Sequence, residues 1–293
     1  MEDYDLLSNI QKKMPHLSKG QKRIANFLIE HLDKAVYLTA SKLGEISGVS
    51  ESTVVRFAIE MGFDGYPKLQ KAIEDLVRNK LTAVQRIEVT SDRIERDKNI
   101  LKSVLKADAE RICMTLNEID ENTFEKAVNK ILSARKIYVV GGRSSAALSS
   151  FLSFYLNLMV DNVIGVNSSN VTEVFEQIYR IEECDVFIGI SFPRYSQKTI
   201  KAMEYAFNKN AFTIAITDSL FSPLAKFAKN CLPAHSDMIS FVDSLVAPLS
   251  VINALLVSVS VNKKDDIIKN LANLEGLWNE YQVYTSNKSK KYI

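Results

Sequence analysis

The stretch Ile137-Tyr-Val-Val-Gly-Gly-Arg-Ser-Ser145 decides how the second half of the chain is interpreted. Its four leading apolar residues predict a buried β-strand, and the two glycines predict a loop between that strand and a helix. Similar β-rich runs recur further along, each followed by a segment of helical length. They are Asn162–Val166, Asp185–Ser191 and Phe212–Thr217, with Cys231–Ala234 as a candidate fifth strand. This alternation predicts an α/β domain in which helices flank a parallel sheet.

Two loops of this predicted sheet have the composition of an anion-binding site. One is Val140-Gly-Gly-Arg-Ser-Ser145, and the other is Ser191-Phe-Pro-Arg-Tyr-Ser196-Gln-Lys-Thr199. Ligands of open α/β sheets bind outside the carboxyl ends of the strands, and glycines, hydroxyls, helix N-termini and arginines together favour phosphate. The candidate ligand-binding residues are Gly141, Arg143, Ser144, Ser145, Ser191, Arg194, Ser196 and Thr199. A serine at such a junction is also explained as a simple helix cap. A dinucleotide site has little support, because no Gly-x-Gly-x-x-Gly pattern is present.

A different pattern lies near the amino terminus. The segment Ala40-Ser-Lys-Leu-Gly-Glu-Ile-Ser-Gly-Val-Ser-Glu-Ser-Thr-Val-Val-Arg-Phe57 predicts a helix-turn-helix. Gly44 is small where the first helix must approach the second, and Gly48 lies where the turn requires a positive φ. Ser50 is suited to cap the second helix. The residues expected to pack the pair are Leu43, Val49, Val54 and Phe57.

The start of the second helix is the end expected to enter a DNA major groove. The candidate DNA-binding residues are Lys42, Ser50, Glu51, Ser52, Thr53 and Arg56. A nearby basic cluster favours contact with the phosphate backbone. It comprises Lys12, Lys13, Lys19, Lys22 and Arg23. The same spacing also occurs in helical hairpins that bind no DNA, and a charge run is often a solvated face, so both interpretations stay open here.

Capping and periodicity divide the chain further. Ser18 with Gln21 predicts a capping box, and a stripe of apolar residues follows it. The stripe comprises Ile24, Phe27, Leu28 and Leu32. Charged residues 78–97 are typical of a linker, a long helix is expected over Lys98–Asn117, and another follows Asp120. Its apolar face comprises Phe124, Val128, Ile131 and Leu132. The predicted divisions are a helix-turn-helix domain (1–77), a linker with a connecting helix (78–120), an α/β domain (121–285) and a polar tail (286–293).

Composition and charge limit the class of protein. A length of 293 residues suggests two domains, and 46% hydrophobic with 25% charged residues is typical of a globular chain. The net charge of +2 is too small to indicate a nucleic-acid partner by itself. Three widely spaced cysteines without a Cys-x-x-Cys pair predict neither a disulfide framework nor a zinc site. We therefore expect a cytoplasmic protein with no metal and no cofactor.

Membrane and targeting signals are weak. The start of the chain, Met1-Glu-Asp-Tyr-Asp5, is acidic, whereas a secretory signal begins with positive charge. The most apolar segment, Leu245–Val261, is interrupted by one proline and several polar residues. A span needs about 20 predominantly apolar residues. We expect this segment to be a buried or interface helix, with no membrane partner.

Two separated motifs carry a family resemblance. The runs Val49-Ser-Glu-Ser-Thr-Val-Val-Arg-Phe57 and Met61-Gly-Phe-Asp-Gly-Tyr66 resemble the helix-turn-helix of RpiR-type (MurR/RpiR) bacterial transcription regulators. That family reads Val-Ser-x-x-Thr-Val-x-Arg-Phe, followed by a turn of the Leu-Gly-Phe-x-Gly-Tyr type. Met61 stands where leucine is usual, a change that conserves volume. The resemblance implies an all-α DNA-binding domain.

Residues 121–262 resemble the sugar isomerase (SIS) domain, which implies a five-stranded parallel sheet and a bound phosphosugar. The usual loops of that domain read Gly-x-Gly-x-Ser and Ser-x-Ser-Gly-x-Thr. Gly141 and Ser145 fit the first pattern, whereas Arg143 replaces a glycine. In the second, Ser191 fits and Ser196 replaces threonine. Pro193 and Arg194 stand where serine and glycine are usual. This form of the second loop resembles a subset of the regulators more than the enzymes.

Catalytic residues are hard to find. Isomerisation of a sugar requires a general base, and the chain has three histidines, of which His235 is placed to reach the crevice of the sheet. Glu173 and Asp243 are other candidate bases, but neither belongs to a recognisable catalytic pair. We therefore expect no enzyme activity. The alternative from another class is a sugar-phosphate isomerase or lyase with an appended helical domain, and a third is a ligand-binding scaffold that binds no DNA.

The resemblances together imply a sequence-specific DNA-binding regulator of sugar metabolism with a phosphosugar effector. Its expected partners are an operator with two-fold symmetry and a second copy of the chain, in a homodimer or homotetramer. The apolar segment Leu245–Val261 is the candidate dimer face.

Overall fold

A computed structural model describes residues 6–31, 35, 38–80, 99–166, 168, 170–237 and 242–283. The chain divides into two compact units, residues 1–86 and 87–293, and each is described by itself. Leu32, most of the predicted linker and the polar tail lie outside the described residues.

The described part of the first unit is helical, as predicted. Its α-helices are α1 (Leu6–Lys13), α2 (Lys19–Glu30), α3 (Ala40–Ser47), α4 (Glu51–Glu60) and α5 (Tyr66–Lys80). The capping box is confirmed: Ser18 Oγ accepts from the backbone N–H of Gln21, and Gln21 Oε1 accepts from that of Ser18. The side chains that fill the centre of this unit are fully buried. They include Ile24, Leu28, Leu43, Val54, Phe57 and Met61. Helix α5 continues past residue 77, where the sequence placed the domain boundary.

The turn between α3 and α4 has the predicted geometry. Gly48 has φ 63°, a conformation that glycine adopts without steric cost. A Cβ at Gly44 would lie 2.8 Å from the carbonyl oxygen of Val49, so the close approach requires glycine there as well. Ser50 occupies the N-cap position of α4, but its hydroxyl hydrogen bonds to the hydroxyls of Ser52 and Thr53 instead of a backbone N–H. The N-cap position of Ser50 is therefore confirmed, whereas its hydroxyl makes no capping hydrogen bond.

The second unit contains the predicted five-stranded parallel sheet. Its strands are β1 (Ile137–Gly141), β2 (Val163–Val166), β3 (Val186–Ile190), β4 (Phe212–Thr217) and β5 (Asn230–Pro233). The strand order is β2-β1-β3-β4-β5, and every neighbouring pair is parallel. The observed ends differ from the predicted runs by about a residue, because the ladder ends where the chain turns away from its neighbour.

Helices cover both faces of this sheet. The described helices of the unit are α6 (Ile100–Glu118), α7 (Glu121–Leu132), α8 (Ser145–Met159), α9 (Val171–Ile178), α10 (Gln197–Asn208), α11 (Val246–Asn262) and α12 (Lys264–Glu280). Side chains of α7, α8 and α11 share one apolar core with alternate strand residues such as Val139. Side chains of α9 and α10 share the other core with Tyr138 and Val140. The result is a three-layer α/β/α arrangement.

The apolar helix α11 belongs mainly to the core. Its buried residues are Ala247, Pro248, Val251, Ile252, Leu255, Leu256 and Val259. Val246, Val257 and Val261 remain exposed on its outer side. Among the described residues no single helix is long and apolar enough to cross a membrane. The pair α11 and α12, bent by 97°, passes that test together by length and composition alone.

An ion pair between a half-exposed arginine and a buried carboxylate holds the amino end of β3. Asp185 is fully buried, and Arg135 donates to its two carboxylate oxygens over 2.9 and 2.8 Å. The backbone N–H of Glu182 donates to the same carboxylate over 2.9 Å. These bonds raise the pKa of Arg135 above its ordinary value. The polar network therefore satisfies a carboxylate that would otherwise be costly to bury.

Tyr66 gives the first unit an alkaline pH dependence. Its hydroxyl donates to the carbonyl of Leu38 over 2.6 Å, and burial raises its pKa from 10.0 to about 12. The folded state therefore keeps a proton that the unfolded state releases above pH 10. The free energy of unfolding falls by about 1.4 kcal/mol per pH unit between the two pKa values.

Tyr66→Phe is expected to lose about 1 kcal/mol of unfolding free energy near neutral pH, with the hydrogen bond to Leu38. It should also lack the alkaline step that Tyr66 produces. Urea unfolding of both proteins from about pH 7 to about pH 11 measures both effects. Parallel pH profiles for the two proteins would contradict the assignment.

Candidate functional site

The two candidate ligand loops meet at the carboxyl edge of the sheet. The first joins β1 to α8 and the second joins β3 to α10. Because β1 and β3 are adjacent and parallel, with Gly141 paired to Ile190, both loops begin at the same level. A Cβ at Gly142 would lie 2.5 Å from Ser196 Oγ and 3.3 Å from Thr199 Oγ1. The contact between the loops therefore requires glycine at position 142.

Hydrogen bonds fix the second loop. Ser191 Oγ accepts from the backbone N–H of Ser196 over 3.0 Å. Ser196 Oγ in turn accepts from the backbone N–H of Thr199 and caps α10. The hydroxyl of Thr199 is fully buried and has no hydrogen-bond partner in the described part of the chain. The loop thus places an unsatisfied hydroxyl directly behind the first glycine loop.

The first loop is equally compact. Gly141 ends β1, and a Cβ there would lie 2.4 Å from the carbonyl oxygen of Ser145. Ser145 begins α8 and is buried, whereas Ser144 is exposed. The N-termini of α8 and α10 thus lie beside the two touching loops. Helix N-termini present free N–H groups and a partial positive charge, which favour an anion.

Two arginines in these loops have left-handed backbone conformations. Arg143 has φ 58° and Arg194 has φ 65°, values that are uncommon for any residue other than glycine. Both side chains are exposed, and neither guanidinium has a carboxylate partner among the residues that the structure describes. Each loop therefore combines tight backbone geometry with an unpaired positive charge.

The candidate bases have other hydrogen-bond partners. The sequence placed His235 within reach of the crevice, but this side chain is 8% exposed, and its Nε2 lies 2.7 Å from Glu118 Oε2 at the end of α6. Glu173 accepts a hydrogen bond from the hydroxyl of Ser168. The segment after β5 thus holds His235 against the end of α6.

The amino-terminal end of α4 lies on the surface of the first unit. Glu51, Ser52 and Arg56 are exposed, as predicted, and Thr53 is half-buried. Lys42, on α3, is paired with Glu45, with 2.8 Å between Nζ and Oε2.

Arg23, which the sequence grouped with the basic cluster, contacts the turn of the helix-turn-helix. Its Nη1 lies 3.0 Å from the position that a Cβ at Gly48 would occupy. The guanidinium therefore lies against the turn that precedes α4.

Both units match known families. A model described as a helix-turn-helix domain of the rpiR family matches residues 4–80, and the SIS domain model matches residues 130–258. The chain belongs to the RpiR family of helix-turn-helix transcriptional regulators that carry a SIS domain. The two matches occur in the order that the sequence resemblance predicted.

Relatives of this RpiR-family chain include the regulator HexR of Pseudomonas aeruginosa. It is 23% identical over 278 residues, which cover 92% of this chain and 94% of HexR. The sugar isomerase domain of an RpiR transcription factor from Sphaerobacter thermophilus is 28% identical with a TM-score of 0.57. That match covers 60% of this chain and 98% of the other.

The NanR protein of Vibrio vulnificus, solved in complex with ManNAc-6P, has the same fold. Its TM-score is 0.59 at 18% identity, and the match covers 94% of this chain and 99% of NanR.

The structure also places the departures of this RpiR-family member from the usual SIS pattern. Arg143 and Arg194 stand where the pattern has glycine, and both keep the left-handed backbone that glycine adopts most easily. In this chain both positions therefore have a backbone conformation that favours glycine, although arginine stands at each. Each replacement adds a guanidinium to the edge of the sheet.

Arg194→Gly is expected to be more stable than Arg194→Ala by about 1 kcal/mol, because glycine relieves the left-handed strain and alanine does not. Arg180 is the matched control, since it is exposed and does not have a positive φ. There the order should reverse, because glycine costs more conformational entropy than alanine. Thermal and urea unfolding of the four variants measure both differences. If the alanine variant were the more stable one at both positions, the claim of backbone strain at Arg194 would be wrong.

Proposed function

We propose that this chain is a sequence-specific DNA-binding regulator of sugar metabolism whose SIS domain senses a phosphosugar. The observation that carries the proposal is the junction of the two loops, where Gly142 packs against Ser196. It gathers hydroxyls, two helix N-termini and two unpaired guanidiniums at one sheet edge. In the same chain, α4 exposes a polar recognition end.

The chemistry of this junction fits a phosphate ester. Candidate donors are the hydroxyls of Ser145, Ser191 and Ser196 and the backbone N–H groups of the loops, with Gly141 and Ser144 completing the first loop. The backbone N–H of Thr199 donates to Ser196 Oγ. The Thr199 hydroxyl, which lies beside Gly142, is a further candidate donor. Arg143 and Arg194 supply charge, since hydrogen bonds from charged donors to phosphate are the stronger ones. ManNAc-6P in NanR supports a phosphorylated sugar as the class of effector.

Regulation without catalysis is supported by the partners of two candidate bases, neither of which belongs to the two junction loops. His235 is hydrogen bonded to Glu118 at the end of α6, and Glu173 accepts from Ser168. Burial raises the pKa of the Cys231 thiol to about 12, which leaves little thiolate at neutral pH. The relatives named above as transcriptional regulators support the same conclusion.

Self-association would bring two recognition helices to one operator. We propose that the exposed side of α11, with Val246, Val257 and Val261, contributes to contact between two copies of the chain. A two-fold assembly presents its α4 helices to half-sites about 34 Å apart, one turn of DNA. An operator with two-fold symmetry follows from that arrangement.

Capture of genomic fragments by the full-length protein tests the proposed function. We expect enrichment of a two-fold symmetric site beside genes of sugar uptake or catabolism. Arg56→Ala should bind the enriched site more weakly by about 1–3 kcal/mol if this side chain contacts a base. Titration of labelled DNA with wild type and variant measures the difference.

Arg180→Ala is the control, because it removes the same charge from the other unit. Equal losses in the two variants would show that Arg56 acts only through net charge. Failure to enrich any site at low salt, with phosphosugars absent and supplied, would reject the regulator. Turnover of fructose or glucosamine phosphates would then support the isomerase or lyase.

Arg194→Ala is expected to weaken the response to a phosphosugar and to leave DNA binding without effector unchanged. Loss of one charged hydrogen bond corresponds to about a tenfold or greater increase in the Kd for the effector. DNA titrations over a series of phosphosugar concentrations measure both quantities. Loss of effector-free DNA binding in the same variant would count against the assignment.

A further inference from the structure

The second ligand loop is hydrogen bonded to the end of β4. Tyr195 lies between Arg194 and Ser196, and its hydroxyl donates to Asp218 Oδ1 over 2.9 Å. The hydroxyl of Thr217 donates to the same oxygen over 3.2 Å. A change in the backbone of this loop therefore acts directly on the residues that end β4.

The contacts continue from β4 into the segment after β5. The backbone N–H of Ala234 donates to the carbonyl of Thr217 over 2.7 Å. The next residue is His235, whose backbone N–H donates to Thr115 Oγ1 on α6 over 3.0 Å. Its imidazole Nε2 lies 2.7 Å from Glu118 Oε2 on the same helix. Two adjacent residues thus join the sheet to α6.

A second polar contact attaches the middle of α6. The hydroxyl of Ser244, just before α11, donates to Asp108 Oδ1 over 2.7 Å, and Arg111 lies 3.3 Å from the same oxygen. Helix α6 buries two residues, Arg111 and Thr115, and both are polar. The helix packs against α11, and its buried attachments beside that packing are directional polar contacts. Along the chain, α6 follows the segment that leads from the DNA-binding unit.

We propose that this hydrogen-bonded chain, from Tyr195 through Asp218 and Thr217 to His235 and α6, transmits effector binding from the SIS loops to the connecting helix. The inference rests on the proposed function, since it assigns a route of regulation to the proposed phosphosugar site. Tyr195 and Thr115 act as positioning residues at the two ends of the route. Effector binding at the second loop shifts Tyr195, and the shift reaches α6 through the bonds at Thr217 and His235.

Hydrogen–deuterium exchange of the full-length protein tests the route without DNA. The probes are ManNAc-6P, glucose 6-phosphate and inorganic phosphate. In the wild type, a binding probe should slow exchange in residues 141–145 and 191–199 and change exchange in residues 111–118 by about fivefold or more. The loop peptides report occupancy of the site, and the α6 peptides report transmission.

Two variants cut the route at opposite ends. Tyr195→Phe removes the hydroxyl that bonds to Asp218, and Thr115→Val removes the acceptor for the His235 backbone N–H. Both should keep the protection of the loops and lose the response of α6. Tyr205→Phe is the matched control, because its hydroxyl donates to the carbonyl of Tyr179 over 3.0 Å, off the route. It should respond as the wild type does.

The possible results distinguish failure of the inferred route from failure of the proposed phosphosugar site. An α6 response that survives in both cut variants overturns the route while leaving the ligand site intact. Loops that respond in the wild type while α6 does not overturn it as well. No response anywhere to any probe rejects the phosphosugar site, and the route with it. If burial of Thr115 prevents folding of its variant, as circular dichroism would reveal, Tyr195→Phe decides alone.

Discussion

The contact between Gly142 and Ser196 is the constraint on which the rest of the site depends. Parallel pairing of β1 with β3, which ends with Gly141 opposite Ile190, starts both loops at one level. The distance from Ser196 Oγ to a Cβ at position 142 would be 2.5 Å, so any side chain would force the loops apart. The N-termini of α8 and α10 converge on one place because this contact is possible.

Glycine serves two different purposes in such loops, and this chain separates them. At position 142 the requirement is space, which excludes every side chain. At positions 143 and 194 the requirement is a left-handed backbone, which another residue meets at a cost of about 1 kcal/mol. Arginine stands at both of these positions. The backbone strain at positions 143 and 194 is thus modest, and each of these positions carries a cation. At position 142 a side chain would separate the two loops, and glycine stands there.

Local features of this fold follow from the sequence, and contacts across it do not. The strands were predicted to about a residue because continuous apolar runs end in glycine, proline or polar residues, and Gly48 marked the turn of the helix-turn-helix. The role of α11 was harder to predict: its apolar residues indicated a buried or interface helix, and seven of them belong to the core. Partners depend on topology instead. His235 bonds to Glu118, 117 positions away, and no local pattern signals that pairing.

The free energy needed to displace a helix explains why we place regulation at α6 and not at the helices that fill the core. An effector shifts an equilibrium only by its differential affinity for the two states, and coupling between sites is typically about 1–3 kcal/mol. Helix α8 buries seven residues, including three leucines and a methionine, so displacing it would cost far more than that. Helix α6 buries two polar residues, and beside its packing against α11 it makes a few hydrogen bonds, each with a net contribution of about 0.5–1.5 kcal/mol. Rearranging two of them matches the free energy that a bound phosphosugar can supply. The inferred route therefore acts on α6, because its buried attachments include hydrogen bonds of a size that an effector is able to rearrange.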